Sequence, residues 1–236
     1  MTTSADIDES EPSILDLQQS LVAMLGQADR KGANALLDAW AARHGYTAVF
    51  KQLLEPALVD IGVGIIGQQF SLAQAYVAAK VAEDMLAKIA QLNEANPEAQ
   101  VARGSVVLGN AEEDFHALGR RMVATMLRAN GWTVCDLGND VPAADYVDKA
   151  LELGARVIGV SAMTMTTAQN IREVRRELDD RGLSGRIQLA VGGAVFLVVA
   201  GLCEEVGGDG TAADMLDAPR LFAELWEKAQ RVEAQP

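Results

Sequence analysis

Asp114 and His116 stand two residues apart in "DFHALG" (residues 114–119), and His116 is one of only two histidines in the chain. A carboxylate at that spacing can accept a hydrogen bond from one ring nitrogen. This fixes the tautomer and leaves the other nitrogen as a basic lone pair for a metal. Ser161 follows a later apolar run, and its hydroxyl can extend the relay by donating to the carboxylate. Gly192 and Gly193 follow another run, and paired glycines after a strand let the backbone approach a flat or bulky ligand closely. Taken singly, each has an ordinary reading: a solvated loop histidine, a serine at a helix N-terminus, a pair of turn-forming glycines. A Ser-His-Asp hydrolase is disfavoured, because "GVSAM" lacks the second Gly of a nucleophile elbow and the required chain order is absent. A structural zinc site is disfavoured too, since only His44 and two scattered cysteines could join His116.

The elements that must position these residues change character near residues 93–103, where "NEANPEAQVAR" breaks the apolar periodicity. Before it, "SILDLQQSLVAML", "ANALLDAWAARHG", "AVFKQLLEPALVDIG" and "SLAQAYVAAKVAEDMLAKIAQL" place apolar residues at steps of three and four. That spacing predicts a four-helix bundle over residues 13–95. After it, "GSVVLGN", "WTVCDLG", "RVIGVSAM" and "IQLAVGG" alternate with amphipathic stretches, and "APRLFAELWEKAQRV" closes the pattern. Apolar strands alternating with helices predict a doubly wound parallel sheet over residues 102–232. Ligands of such sheets bind beyond the carboxyl ends of the strands. His116, Ser161 and the Gly192–Gly193 pair are all placed there.

Composition narrows the classes. The chain has 236 residues and a formal net charge of −13, which repels phosphate backbones and disfavours nucleic acid as a partner. The first residues, "MTTSADIDESEP", have neither the basic nor the apolar part of a secretory signal. The longest apolar run, "LAVGGAVFLVVAGLC" (189–203), falls short of the roughly 20 residues that span a bilayer. A cytoplasmic protein that does not enter membranes is expected, with Cys135 and Cys203 as reduced thiols.

In combination, "DFHALG" (114–119), "SAM" (161–163) and "GG" (192–193) resemble the Asp-x-His-x-x-Gly, Ser-x-Leu and Gly-Gly pattern of the cobalamin-binding proteins. The flank "DLGNDVPAADYVDKALELGARVIGVSAMTMTT" (136–167) is similar to methyltransferase-associated corrinoid proteins, and "VGGDGTAAD" (206–214) to the glycine-acidic stretch after their fourth strand. "IGVGIIGQQFSLAQAYVAAKVAEDML" (61–86) resembles the helical part of the methanol- and methylamine-type members. The resemblance implies a helical cap followed by a Rossmann-like (flavodoxin-like) domain that binds cobalamin. It further implies that His116 is the lower axial cobalt ligand, held by Asp114 and Ser161, and that Gly119, Met163, Thr166, Gly192, Gly193, Asp209 and Gly210 contact the cofactor. The function it implies is a carrier subunit that shuttles a methyl group on cobalt between a substrate-specific and an acceptor methyltransferase, with a reductive activator as a further partner. A corrinoid-dependent sensor or regulatory module is the alternative. The chain departs from the family pattern at Glu113, where Gly is usual, at Leu118-Gly119-Arg120-Arg121 for Ile-Gly-Lys-Asn, at Met163 for Leu, and at Met165 where a hydroxyl is usual.

Overall fold

The computed structural model describes residues 12–94 and 103–233, which fall into two compact units that divide after Ile89. In the first, α1 (Ile14–Gly26) and α2 (Arg30–His44) are followed by α3 (Tyr46–Val49), a π-helical turn (Phe50–Leu54), α4 (Glu55–Ile66) and α5 (Leu72–Glu94). Local chemistry sets the helix starts. Ser13 and Asp16 bond one another's backbone N–H reciprocally at the start of α1, and the Asp29 carboxylate accepts from Gly32 N at the start of α2. The wide turn before α4 accommodates Pro56, which has no N–H to give the Gln52 carbonyl; Gln18 Nε2 donates to that oxygen at 2.6 Å instead. Leu21, Leu25, Leu37, Phe50, Leu53, Leu54 and Met85 are fully buried, so the apolar positions read from the sequence form the core of this helical unit.

The second unit is a five-stranded, all-parallel sheet in the order β2-β1-β3-β4-β5. The strands are β1 (Gly104–Asn110), β2 (Trp132–Asp136), β3 (Val157–Ser161), β4 (Gln188–Gly192) and β5 (Gly210–Thr211). Alternate residues bury on opposite faces. Val107, Ile158, Val160, Leu189 and Val191 pack with α7 (Ala143–Leu153) and α8 (Met165–Asp180). Val106, Leu108, Val157 and Ala190 pack with α6 (Ala117–Ala129) and α11 (Ala218–Glu233). The sheet is thus covered on both faces, as continuous apolar strand runs require. Its order reverses between β1 and β3, which opens the binding crevice of this fold at their carboxyl ends.

Two details go beyond the alternation of strands and amphipathic stretches read from the sequence. The stretch "VFLVVAGLCEEVG" is two short helices, α9 (Ala194–Val198) and α10 (Leu202–Glu205), because Gly201 takes a left-handed conformation (φ 77°) between them. The glycine-acidic stretch after β4 contains β5, a two-residue edge strand too short to leave an alternating pattern. The expected linker falls mainly on residues 95–102, outside the described residues; Asn93 and Glu94 close α5.

Candidate functional site

Parallel register brings the candidate residues level with one another. Asn110 at the end of β1 pairs with Ser161 at the end of β3, and Ser161 pairs with Gly192 at the end of β4. The loops extend the row: Ala111 N donates to Ser161 O, and Ala162 N to Gly192 O, each at 2.9 Å. The loop after β1 then delivers His116 as the N-cap residue that precedes α6.

Asp114 is the hub of that loop. Its side chain is 1% exposed. Oδ1 accepts from Asn110 Nδ2 at 3.0 Å, His116 N at 2.9 Å and His116 Nδ1 at 3.3 Å. Oδ2 accepts from Met163 N at 2.7 Å and Thr167 Oγ1 at 2.8 Å. Burial pushes the carboxyl upward, but the N–H groups of Met163 and His116, the Thr167 hydroxyl and the nearby imidazole outweigh it and hold it below the usual carboxylate range. The anion accepts Nδ1–H, so the His116 ring offers Nε2 as its lone pair, on a side chain 61% exposed at the mouth of the crevice.

The hydroxyl that completes the relay belongs to Thr167, not Ser161. Ser161 bonds through its backbone carbonyl, whereas Thr167 reaches Asp114 from the first turn of α8. Thr167 Oγ1 also accepts from Thr164 N, and Thr167 N donates to Thr164 Oγ1, so one T-x-x-T cap both starts α8 and presents the hydroxyl. That spacing is visible in "TMTT" (164–167) and is the signal that identifies the partner. Thr167→Val is expected to cost about 1–3 kcal/mol in chemical denaturation, because a buried carboxylate oxygen loses a donor, whereas Ser161→Ala should stay within about 0.5 kcal/mol.

Glu113 has φ +66° and Asp140 φ +54°, conformations that favour glycine. Glu113 N donates to Asp140 Oδ1 at 2.7 Å and Asp140 N to Asp114 O at 3.1 Å, so the two strained residues lock the loop after β1 to the loop after β2. This explains the glycine usual at position 113. Glu113→Gly is expected to stabilise the protein by about 0.5–1 kcal/mol, the relief of left-handed strain exceeding the added chain entropy. An unchanged or lowered thermal midpoint would contradict it.

Arg120, a further residue that the sequence pattern left unassigned, is 7% exposed. Its Nη1 donates to Asn110 Oδ1 (2.8 Å), Gly138 O (2.6 Å) and Asn139 Oδ1 (2.8 Å), and its Nε lies 2.8 Å from Asp136 Oδ1. Phe115 after β1, Met163 and Met165 after β3, and Leu197 and Val198 after β4 are exposed large apolar side chains on segments that follow the strand ends. A Cβ added at Gly119 or Gly192 would enter open space, whereas one at Gly193 (φ 109°) would collide with the Ala162 backbone. Thr166 is exposed on the first turn of α8.

Asp209 and Gly210 lie elsewhere. Asp209 Oδ2 accepts from Leu189 N (2.7 Å) and Arg175 Nη2 (2.5 Å), near the start of β4, and Gly210 pairs with Ala190 with its α-carbon against Leu221 of α11. Leu189 is three residues from Gly192, ~10 Å along the strand. The structure gives both residues packing roles: Asp209 ties β4 to α8, and Gly210 admits α11.

An exposed imidazole held through Nδ1 by a buried carboxylate, beside apolar side chains and glycines at the strand ends, can offer one nitrogen donor to a metal. Comparison with known proteins is specific. Residues 104–220 match the B12 binding domain. Dimethylamine corrinoid protein 2 of Methanosarcina mazei is 34% identical over 185 residues, covering 74% of this chain and 85% of that one. Trimethylamine corrinoid protein 2 of Methanosarcina acetivorans is 32% identical over 171 residues, covering 70% and 72%. The Methanosarcina barkeri monomethylamine corrinoid protein superposes with a TM-score of 0.77 at 23% identity, over 90% of this chain and 100% of that one, which shows the shared fold. The chain belongs to the corrinoid proteins, and its cofactor is a cobalamin-type corrinoid. Among the described residues no helix is long and apolar enough to cross a membrane.

Proposed function

We infer that this chain carries a methyl group on a corrinoid bound at the carboxyl ends of β1, β3 and β4, with His116 Nε2 as the lower axial ligand. The observation that carries this reading is the exposed imidazole whose Nδ1 is held by the buried Asp114 carboxylate. A single donor suits a metal whose equatorial positions a macrocycle fills. A bound corrinoid supplies cobalt able to accept a methyl group from one partner and hand it to another. The chain's own residues do the rest. Asp114 fixes the tautomer of His116, and Thr167 and Met163 N fix Asp114. Phe115, Met163, Met165, Leu197 and Val198 offer apolar surface to a ring lying on the strand ends. Gly119 and Gly192 leave room beside it, Gly193 lets the backbone turn under it, and Ser161 and Thr166 are the nearby hydroxyls available to its polar side groups.

The names of the relatives point to methylated amines as the source of the methyl group, with a donor and an acceptor methyltransferase as partners and a reductive activator to restore cobalt after oxidation. The chain works in the cytoplasm in this reading, where Cys135 and Cys203 remain thiols. The test is to load the protein with corrinoid, reduce it, and mix it with amine-specific methyltransferases and isotopically labelled mono-, di- or trimethylamine. Label retained by the loaded protein in one of these mixtures is the expected result. Retention in none of them would overturn amine-derived methyl carriage and favour the sensor alternative.

A further inference from the structure

The three donors on Asp114 Oδ1 do not share it equally. His116 N and Asn110 Nδ2 lie at 2.9 and 3.0 Å, whereas the imidazole Nδ1 lies at 3.3 Å and has the weakest claim. A carboxylate oxygen has two lone-pair directions, so donors in excess compete. The amide of Asn110 competes only while its NH2 group, and not its carbonyl, faces Asp114. Arg120 enforces that orientation: its permanently charged Nη1 donates to Asn110 Oδ1 at 2.8 Å, and the cation is anchored by Asp136, Gly138 O and Asn139. The result is a donor chain from guanidinium to amide to carboxylate, which meets the His116 Nδ1–H bond at the same Asp114 oxygen and draws that oxygen's electron density away from the imidazole.

We propose that Asn110, oriented by Arg120, is a positioning residue that keeps the Asp114–His116 hydrogen bond weak and so limits how strongly His116 donates to cobalt. A carboxylate relieved of competing donors draws the Nδ1 proton closer and makes the opposite nitrogen a stronger ligand. One saturated by donors leaves an imidazole that releases its metal readily. The inference rests on the reading of His116 as the cobalt ligand, but its first readout does not.

The experiment begins with the corrinoid-free full chain, by nitrogen-proton correlation of the histidine rings at about pH 9, where imidazole side chains are neutral. A His44→Gln variant assigns the signals, since His44 is the only other histidine. In Asn110→Leu, which keeps the side-chain shape but cannot donate, the His116 Nδ1 proton is expected to move downfield, reporting a stronger bond to Asp114. Arg120→Leu should act in the same direction, and Arg120→Lys, which retains a donor cation, should restore much of the wild-type position. Looser packing alone would weaken the bond and shift the proton upfield. An upfield or unchanged signal in the folded variants therefore overturns the proposal. If neither leucine variant folds, judged by the near-ultraviolet dichroism of the Trp132–Trp226 pair at the far end of the sheet, the wild type decides. A strongly downfield Nδ1 proton there contradicts a weak bond, and an ordinary position supports it.

In the corrinoid-loaded protein, Asn110→Leu is expected to raise the histidine-ligated fraction of cobalt(II) several-fold, seen by electron paramagnetic resonance, and to lower the cobalt(II)/cobalt(I) midpoint potential. A His116→Ala control separates the two ideas. An unchanged cobalt(II) spectrum in that variant removes His116 as the ligand without touching the proton result.

Discussion

Asp114→Ala is expected to destabilise the α/β unit by ~3–5 kcal/mol, the range for removing one partner of a buried, charge-assisted network. The side chain is almost fully buried, and its loss leaves Asn110 Nδ2, His116 N and Met163 N without their acceptor and Thr167 Oγ1 with only its longer bond to Thr164 O. These donors come from β1, the loop before α6, the segment after β3 and the first turn of α8, so a local adjustment cannot satisfy them together. Denaturant unfolding followed by tryptophan fluorescence reads the cost, and a loss under about 1 kcal/mol would show that water enters and replaces the carboxylate. The same carboxyl predicts the acid behaviour. Its folded-state titration lies below the ordinary carboxylate value, so its stabilisation is complete above that ordinary value and is lost as pH falls through the lower, folded one. Asp114→Ala should accordingly be less sensitive than the wild type to pH across that acidic window. Parallel acid limbs in the two proteins would assign the effect to other carboxylates.

The neighbouring glycines are expected to fail in different ways. At Gly193 a methyl group meets the carbonyl oxygen of Ala162 and lies 2.9 Å from its carbonyl carbon, in a backbone conformation (φ 109°) that side chains disfavour. Backbone cannot swing aside as a side-chain tip can, so Gly193→Ala should cost about 3 kcal/mol or more in unfolding experiments. At Gly192 the methyl meets nothing within 4 Å. Gly192→Ala should fold within about 0.5 kcal/mol of the wild type and, if the corrinoid lies at the strand ends as proposed, lose corrinoid retention, because the methyl would enter the space assigned to the ligand. Equal stability of the two variants would contradict the first expectation. Wild-type corrinoid retention by Gly192→Ala would place the ligand elsewhere.

The architecture was legible because burial imposes periodicity. Four stretches with steps of three and four became the helical spans of the first unit, and the four Val/Ile-rich runs became β1 to β4, since a parallel sheet covered on both faces needs apolar residues throughout. What did not show in the sequence depends on proximity. The choice between Ser161 and Thr167 as relay hydroxyl turns on which side chain the start of α8 aims at Asp114, 53 positions away. Arg120 reads as one more charged helix residue, and only the fold brings it onto Asn110 and the loop after β2. Asp209 stands in a glycine-rich stretch that looks like a ligand loop, yet a backbone N–H of β4 and the Arg175 guanidinium both claim its carboxylate. The substitution of Glu at position 113 marked a departure from the family pattern, but its left-handed conformation became evident only with the backbone angles.

The central claim, that His116 in the loop after β1 ligates the corrinoid cobalt, is tested most directly by adding hydroxocobalamin in the dark to the wild type and to His116→Ala, removing free ligand and recording the visible spectra. The account predicts a retained corrinoid whose spectrum changes when His116 is replaced. Identical spectra from the two proteins, or no corrinoid retained by the wild type, would contradict it.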